Sequence, residues 1–197
     1  MMIVVDVRVT VLGDSYVAGV GDPEHRGWVG RVAAATQRPL TVYNLGIRGD
    51  TSADVAARWA TEVAARRAPG TAERLVLAVG VNDTTMVDGA PRVGAVESVA
   101  HLRTILTGAA RAGLAALVVG PPPVDDPEHV ERTRWLAADF AAACAALDVP
   151  FVDVLDGLAA DPDWTAEVAA GDGAHPGAAG YAAYARLVLP AWLRWLP

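Results

Sequence analysis

The sequence predicts an α/β fold, a sandwich of helices around a parallel β-sheet. Three observations carry that expectation. Five short apolar runs are separated by longer segments with helical periodicity, the alternation that produces right-handed strand–helix–strand crossovers. Two of the runs, Leu75–Val79 and Ala116–Val119, are apolar without a period of two, as strands covered on both faces are. Glycine and hydrogen-bonding residues gather in the segments after the runs, at the edge where open parallel sheets place their ligands.

Taken in order, the first strand spans Val7–Leu12 and stops at Gly13, with Ser15 two residues past its end. Two readings of that turn stand. Gly13 supplies unusual φ/ψ while Asp14 or Ser15 caps a helix, or Ser15 is a nucleophile whose own N–H lies at a helix start. A helix is expected over Trp28–Thr36 and a strand over Leu40–Leu45. The next helix covers Ser52–Ala68, with Thr51 or Ser52 as its N-cap. A strand at Arg74–Val79 leads to a helix over Val93–Ala112. There Val99, Leu102, Ile105, Leu106 and Ala109 share one face, and Glu97, His101, Thr104 and Arg111 share another. The fourth strand is Ala115–Val119, followed by a helix at Arg132–Leu147. A fifth strand at Pro150–Val154 opens a long loop through Asp153–His175, and a last helix covers Ala178–Trp195. Its Trp192 and Trp195, with Leu189, Leu193 and Leu196, are expected to pack on the sheet rather than form a dimer surface. With no linker, repeat or low-complexity tract, residues 1–197 are expected to form a single domain.

Composition narrows the function classes. Hydrophobic residues make up 53% and charged residues 20%, a folded composition. A net charge of -7 argues against a nucleic-acid partner. No apolar run reaches the length of a membrane span. The apolar start, Met1–Val9, is broken by Asp6 and Arg8 and lacks a basic leader and a cleavage site, so no signal peptide is expected and the default is a cytoplasmic protein. The single cysteine, Cys144, excludes an intramolecular disulfide and reads as a small core residue. Oligomeric state is not readable.

A nucleophilic serine needs a base, and the base an orienting acid. There are three serines, of which Ser98 falls within a helix and Ser52 reads as a cap. There are four histidines. His25, in the Gly21–Gly27 loop, is expected to be exposed, and His101 and His129 to be solvated. His175 stands in the glycine-rich turn Gly171–Gly177, and a tight turn there folds the Asp172 carboxylate back onto the imidazole. The alternative is a surface histidine. A metal site is the weaker option, without a His-Glu-x-x-His pattern or cysteine pair. Asn82, after a buried strand, either forms a turn or points an amide N–H at developing negative charge. Gly46 and Gly49 let the backbone approach a ligand closely.

Four blocks then stand out together: Gly13-Asp-Ser15, Gly49-Asp-Thr51, Gly80-Val-Asn-Asp83 and Asp172-Gly-Ala-His175. In content and order they resemble the blocks of the SGNH hydrolases, also called the GDSL esterase/lipase family, and they span most of the chain. The resemblance implies a flavodoxin-like three-layer α/β/α sandwich with a five-stranded parallel sheet, and a serine esterase acting through an acyl-enzyme. It implies Ser15 as nucleophile and first oxyanion donor, Gly49 as a second backbone donor, Asn82 as a side-chain donor, His175 as base and Asp172 as its orienter. It implies no metal or organic cofactor, and a small ester or thioester as the partner. Tyr16 stands where the family's name has Leu, outside the catalytic set, so the difference bears on packing or pocket shape. No Gly-x-Ser-x-Gly elbow surrounds any serine.

Alternatives from the same residues are an acyltransferase or deacylase on a dedicated intracellular substrate, and a non-catalytic module whose first loop cradles phosphate or flavin. Asp14 would repel the phosphate, and such a cradle has no use for an Asp-x-x-His turn. Around the site, Pro121–Val124 is expected to form a stiff wall. Trp164 and Val168 either cover an acyl group or anchor their loop. Arg48 either pairs with an anionic substrate group or is solvated.

Overall fold

The structure, a computed structural model, describes residues 6–197. The start of the chain, on which the signal-peptide expectation rests, lies outside the described residues. In chain order the elements are β1 (Val7–Gly13), α1 (Ser15–Ala18), α2 (Gly27–Ala35), β2 (Leu40–Gly46), α3 (Ser52–Ala64) and β3 (Ala72–Ala78). A hairpin, β4 (Met86–Val87) and β5 (Ala90–Pro91), leads to α4 (Ala95–Arg111), β6 (Ala115–Val119), α5 (Pro127–Ala145) and β7 (Phe151–Val152). Then come α6 (Leu155–Ala159), α7 (Pro162–Ala170) and α8 (Ala178–Trp195).

Five strands form one sheet in the order β2-β1-β3-β6-β7, every pair parallel. The three-layer α/β/α sandwich with its five-stranded sheet is as expected. Successive side chains of a strand face opposite layers, and the core divides accordingly. Val7, Val9, Val11, Val76, Leu117 and Val119 pack under α2 and α8 with Trp28, Tyr184, Val188 and Trp192. Leu12, Leu75, Leu77, Ala116 and Val118 pack under α3, α4 and α5 with Val55, Leu102, Ile105 and Phe140. The central strands are buried on both faces, which is why β3 and β6 carry no alternation in sequence. Trp192 is fully buried on the sheet, whereas Leu193 is exposed. Cys144 is a free thiol inside the second cluster.

Several boundaries differ from expectation for local reasons. α5 begins at Pro127, five residues before Arg132, because the Asp126 carboxylate accepts the N–H groups of Glu128 and His129. The expected strand at Pro150–Val154 contracts to Phe151–Val152, because Asp153 turns its carboxylate onto the Leu155 N–H and opens α6. The expected loop Asp153–His175 is mostly helical. Asp161 caps α7 with Pro162 behind it, the same Asp-Pro start as α5. α3 ends at Ala64, short of Pro69, whose ring disfavours a helical Ala68. The β4–β5 hairpin turns through Asp88 and Gly89, both at positive φ, the Asp-Gly signature of a two-residue hairpin. No helix of the described residues is long and apolar enough to cross a membrane.

Candidate active site

All strands of the main sheet run parallel, so the segments after β1, β2, β3, β6 and β7 leave from one edge. β1 ends in a turn set by Asp14. Its Oδ1 accepts the Tyr16 N–H at 2.9 Å and so caps the single-turn helix α1, which starts at Ser15. Gly13 has no positive φ; its role is space. A Cβ there would lie 2.1 Å from the Ala78 carbonyl oxygen and 2.6 Å from Val17 Cγ2.

Ser15 is 5% exposed, and its Oγ lies 2.8 Å from His175 Nε2. His175 Nδ1 lies 2.7 Å from Asp172 Oδ2. With the proton on Nδ1, His175 donates to Asp172 and accepts from the Ser15 hydroxyl. The Asp172 Oδ1 accepts the Ala174 N–H at 3.0 Å and the His175 N–H at 2.8 Å, so one carboxylate both folds the turn and faces the imidazole. Burial pushes the Asp172 carboxyl up, but hydrogen bonds from the His175 N–H, the imidazole and the Ala174 N–H outweigh it and hold the group at about 2. Asp172 is therefore an anion across the working pH range. From the other side, Gly21, at φ +89°, is required by proximity: a Cβ there would meet Pro176 O at 2.6 Å and His175 Cβ at 3.2 Å. The Gly21–Gly27 loop thus abuts the histidine turn, while His25 itself is exposed. Buried Asp22 knits that loop by accepting from the Glu24, Arg26 and Gly27 N–H groups and from Arg31.

The loops that carry the remaining expected residues are tied to this turn. Ile47 N–H donates to Gly13 O at 3.0 Å, and Arg58 donates to Gly13 O, to Leu45 O and to Asp50 Oδ2. Gly46 packs against α1, with a Cβ position only 2.2 Å from Ala18 N. Gly49 has φ +80° and open space where a Cβ would project. The Asn82 Nδ2 donates to Asp50 O at 3.0 Å and lies 3.4 Å from Asp14 Oδ2. The second contact is long for a hydrogen bond, so one amide N–H is committed and the other is loosely held. Sequence reasoning gave Asp14 a capping role and a repulsion of phosphate, but not the buried position beside Asn82 that it occupies. Its burial, with Asp83 and Asp50 adding repulsion against the Tyr16 N–H bond, raises the carboxyl to about 7.

The other histidines and serines serve elsewhere, and three expectations are corrected, those for His101, Ser52 and His129. His101 is not simply solvated: its Nδ1 lies 3.1 Å from the Ser52 Oγ. Ser52 is buried, and its N–H donates to Asp83 Oδ1 at 2.7 Å, while Thr51 is the N-cap of α3. His129 Nε2 sits 3.0 Å from both Val81 O and Thr84 Oγ1, anchoring the segment that carries Asn82. Ser98 is buried in α4. Trp164 and Val168 are buried, and the Trp164 indole N–H donates to Pro123 O at 3.2 Å, so Trp164 anchors its segment. Arg48 is exposed and lines, with Glu167, Asp172 and His175, an open groove of about 430 Å³. Among the described residues no group of three or more His, Cys, Asp or Glu is placed to hold a metal ion.

A hydroxyl within hydrogen-bond reach of an imidazole that a carboxylate orients is the arrangement used for nucleophilic acyl transfer. Comparison with known proteins gives the family and the fold. The model of the GDSL-like Lipase/Acylhydrolase family matches residues 11–183. The fold is similar to Axe2, an acetylxylan esterase from Geobacillus stearothermophilus, with TM-score 0.76 and 21% identity, covering 93% of this chain and 92% of that one. It is similar to a lipase/acylhydrolase from Enterococcus faecalis, with TM-score 0.74 and 24% identity over 96% and 97% of the two chains. It is also similar to TesA, with TM-score 0.76 and 24% identity over 96% and 99%. Comparison with curated proteins finds no match.

Proposed function

The chain belongs to the GDSL-like lipase/acylhydrolase family, an esterase family, and we propose that it cleaves carboxylic esters or thioesters of a small or acyl-chain substrate through a Ser15–His175–Asp172 triad. The observation that carries this is the unbroken relay from Ser15 Oγ to His175 Nε2 at 2.8 Å and from His175 Nδ1 to Asp172 Oδ2 at 2.7 Å.

In the proposed mechanism Ser15 Oγ attacks the acyl carbon as His175 Nε2 takes the hydroxyl proton. The tetrahedral oxyanion is held by the Ser15 and Gly49 backbone N–H groups and by the loosely held N–H of Asn82. On collapse, His175 returns the proton to the leaving oxygen or sulfur, and an acyl-Ser15 remains. Water, deprotonated by His175, then releases the acid and restores the serine. Each step uses only the chain's own groups and water. The open groove beside His175 lies where a departing alcohol would be protonated, and the charged groups in its lining, Arg48, Glu167 and Asp172, suit a polar alcohol portion. Axe2 is an acetylxylan esterase, and a short acyl group on a saccharide alcohol would suit a groove of this kind.

The test is hydrolysis of p-nitrophenyl esters from acetate to long acyl chains, with Ser15→Ala beside wild type. Activity that falls to background in the folded variant is the expected result, and its chain-length profile sizes the acyl site. Equal activity in both proteins would mean that another group is the nucleophile. A folded, inactive wild type would shift the reading to a transferase or deacylase with a dedicated acceptor.

A further inference from the structure

We propose that Tyr16 is a positioning residue for His175, its hydroxyl tethering the histidine turn and its ring backing the imidazole against Ser15. The proposal rests on the serine-hydrolase reading above. The turn Asp172–His175 lies at the surface, with Asp172 exposed. Apart from the contacts of its own carboxylate and of the triad, three hydrogen bonds fasten it. The Gly173 N–H donates to Val168 O at 3.1 Å, and Asp125 N–H donates to Gly173 O at 2.8 Å. The third is the Tyr16 hydroxyl, which donates to Ala174 O at 2.8 Å, on the residue directly before His175.

The ring of Tyr16 is 1% exposed and its centroid lies 5.1 Å from that of the imidazole, at 35°. Behind it stands the Trp164 indole, 6.1 Å away and tilted by 22°. That indole is itself fixed by its bond to Pro123 O and by an edge contact with Tyr184. Tyr16 therefore has no room to swing away, and the imidazole has a rigid wall on one face. Because Tyr16 follows Ser15 directly, one dipeptide places the nucleophile and holds the base, which is 160 residues distant in sequence. A leucine here would fill space but offer neither an O–H for Ala174 nor a π face. A π face favours the imidazolium that forms during each half-reaction. The other charged groups near the ring are Asp172 on its own turn and, lining the same groove, Arg48 and Glu167. Glu167 is engaged by the Ala179 and Gly180 N–H groups of α8. Asp14, beside Ser15, acts on Tyr16.

The experiment compares wild type, Tyr16→Phe, Tyr16→Leu and Ser15→Ala on p-nitrophenyl acetate, with kcat, KM and the pH profile measured on proteins shown by circular dichroism to be folded. Tyr16→Phe keeps the ring and loses one neutral hydrogen bond. It should lower kcat by about two- to tenfold, with KM and the acid limb of the profile unchanged. Tyr16→Leu should lower kcat further and move the acid limb to lower pH by roughly half a unit or more. Wild-type kcat and an unshifted profile in both variants would overturn the proposal. So would losses that vanish once activity is normalised to the folded fraction, since that is packing alone. If Tyr16→Leu does not fold, Tyr16→Phe decides by itself. Ser15→Ala separates the two levels: activity at background in that variant with unaltered Tyr16 variants refutes the positioning role alone, whereas an active Ser15→Ala refutes the reading beneath it.

Discussion

Replacing Asp14 by asparagine tests the electrostatics beneath Ser15. The side chain is buried, accepts the Tyr16 N–H through Oδ1 and faces Asn82 Nδ2 with Oδ2. Its carboxyl is raised from the ordinary 3.8 to about 7, first by burial and then by Asp83 and Asp50, against the Tyr16 N–H bond. A raised acid binds its proton more tightly in the folded state. Folding stability from this group is therefore full below the unfolded value and is lost as pH climbs through the folded value. Between pH 5 and pH 8 the wild type should lose about 2.5 kcal/mol that Asp14→Asn does not lose. Asparagine is as good a cap as aspartate, so the Tyr16 bond persists. The amide set against Asn82 Nδ2 adds a constant offset at every pH. The readout is thermal or urea unfolding of both proteins at pH 5, 6, 7 and 8. For a chain of this size the melting-temperature difference between variant and wild type should move by roughly 5–10 °C across that range. A difference that stays constant with pH would refute the argument, because it would mean that Asp14 is already ionised at pH 5 or never bears the burial cost.

Two further outcomes follow from the geometry. Asn82→Ala should reduce kcat/KM by roughly 10²–10³, the cost of losing one oxyanion donor, while circular dichroism stays that of wild type; near-wild-type turnover would remove the loosely held Asn82 N–H from that role. Gly46→Ala should damage turnover more than stability, because its Cβ would sit 2.2 Å from Ala18 N and 2.6 Å from Asp14 O, both backbone, so α1 must shift. A displacement of about 1 Å can cost on the order of 10²-fold in rate. Steady-state kinetics beside a melting curve checks it, and unchanged kcat would show that the turn absorbs the methyl elsewhere.

Which parts were legible depended on whether the signal was local. β3 and β6 were readable because burial on both faces writes an uninterrupted apolar run. The blocks around Ser15, Gly49, Asn82 and His175 were readable because each is a short chemical string at a strand end. The segments missed, the β4–β5 hairpin, α6 and α7, also had local signals, Asp88-Gly89 for the hairpin among them. Asp161-Pro162 is a cap followed by a proline at the first helical position, as Asp126-Pro127 is in α5. Both helices are short and pack few apolar residues, so periodicity did not announce them. β7 failed differently: the apolar run continued, but Asp153 spent its carboxylate on the next turn.

What no local pattern contains is pairing across the chain. His101 on Ser52 and His129 on Val81 and Thr84 each join residues more than forty positions apart. Sequence could assign those imidazoles only to solvent, the ordinary fate of a histidine on a polar helix face. The same limit applied to Tyr16. Beside Ser15 it was a variant of a block, and its partners, Ala174 and Trp164, are some 150 residues away. The parallel sheet supplies what the string lacks. It brings the segments after β1 and β7 to one edge, where Tyr16, next to Ser15, comes to rest against His175. A block's flanking residue thus fastens, through one hydroxyl, a turn 158 positions away, a tie that no local pattern spells out.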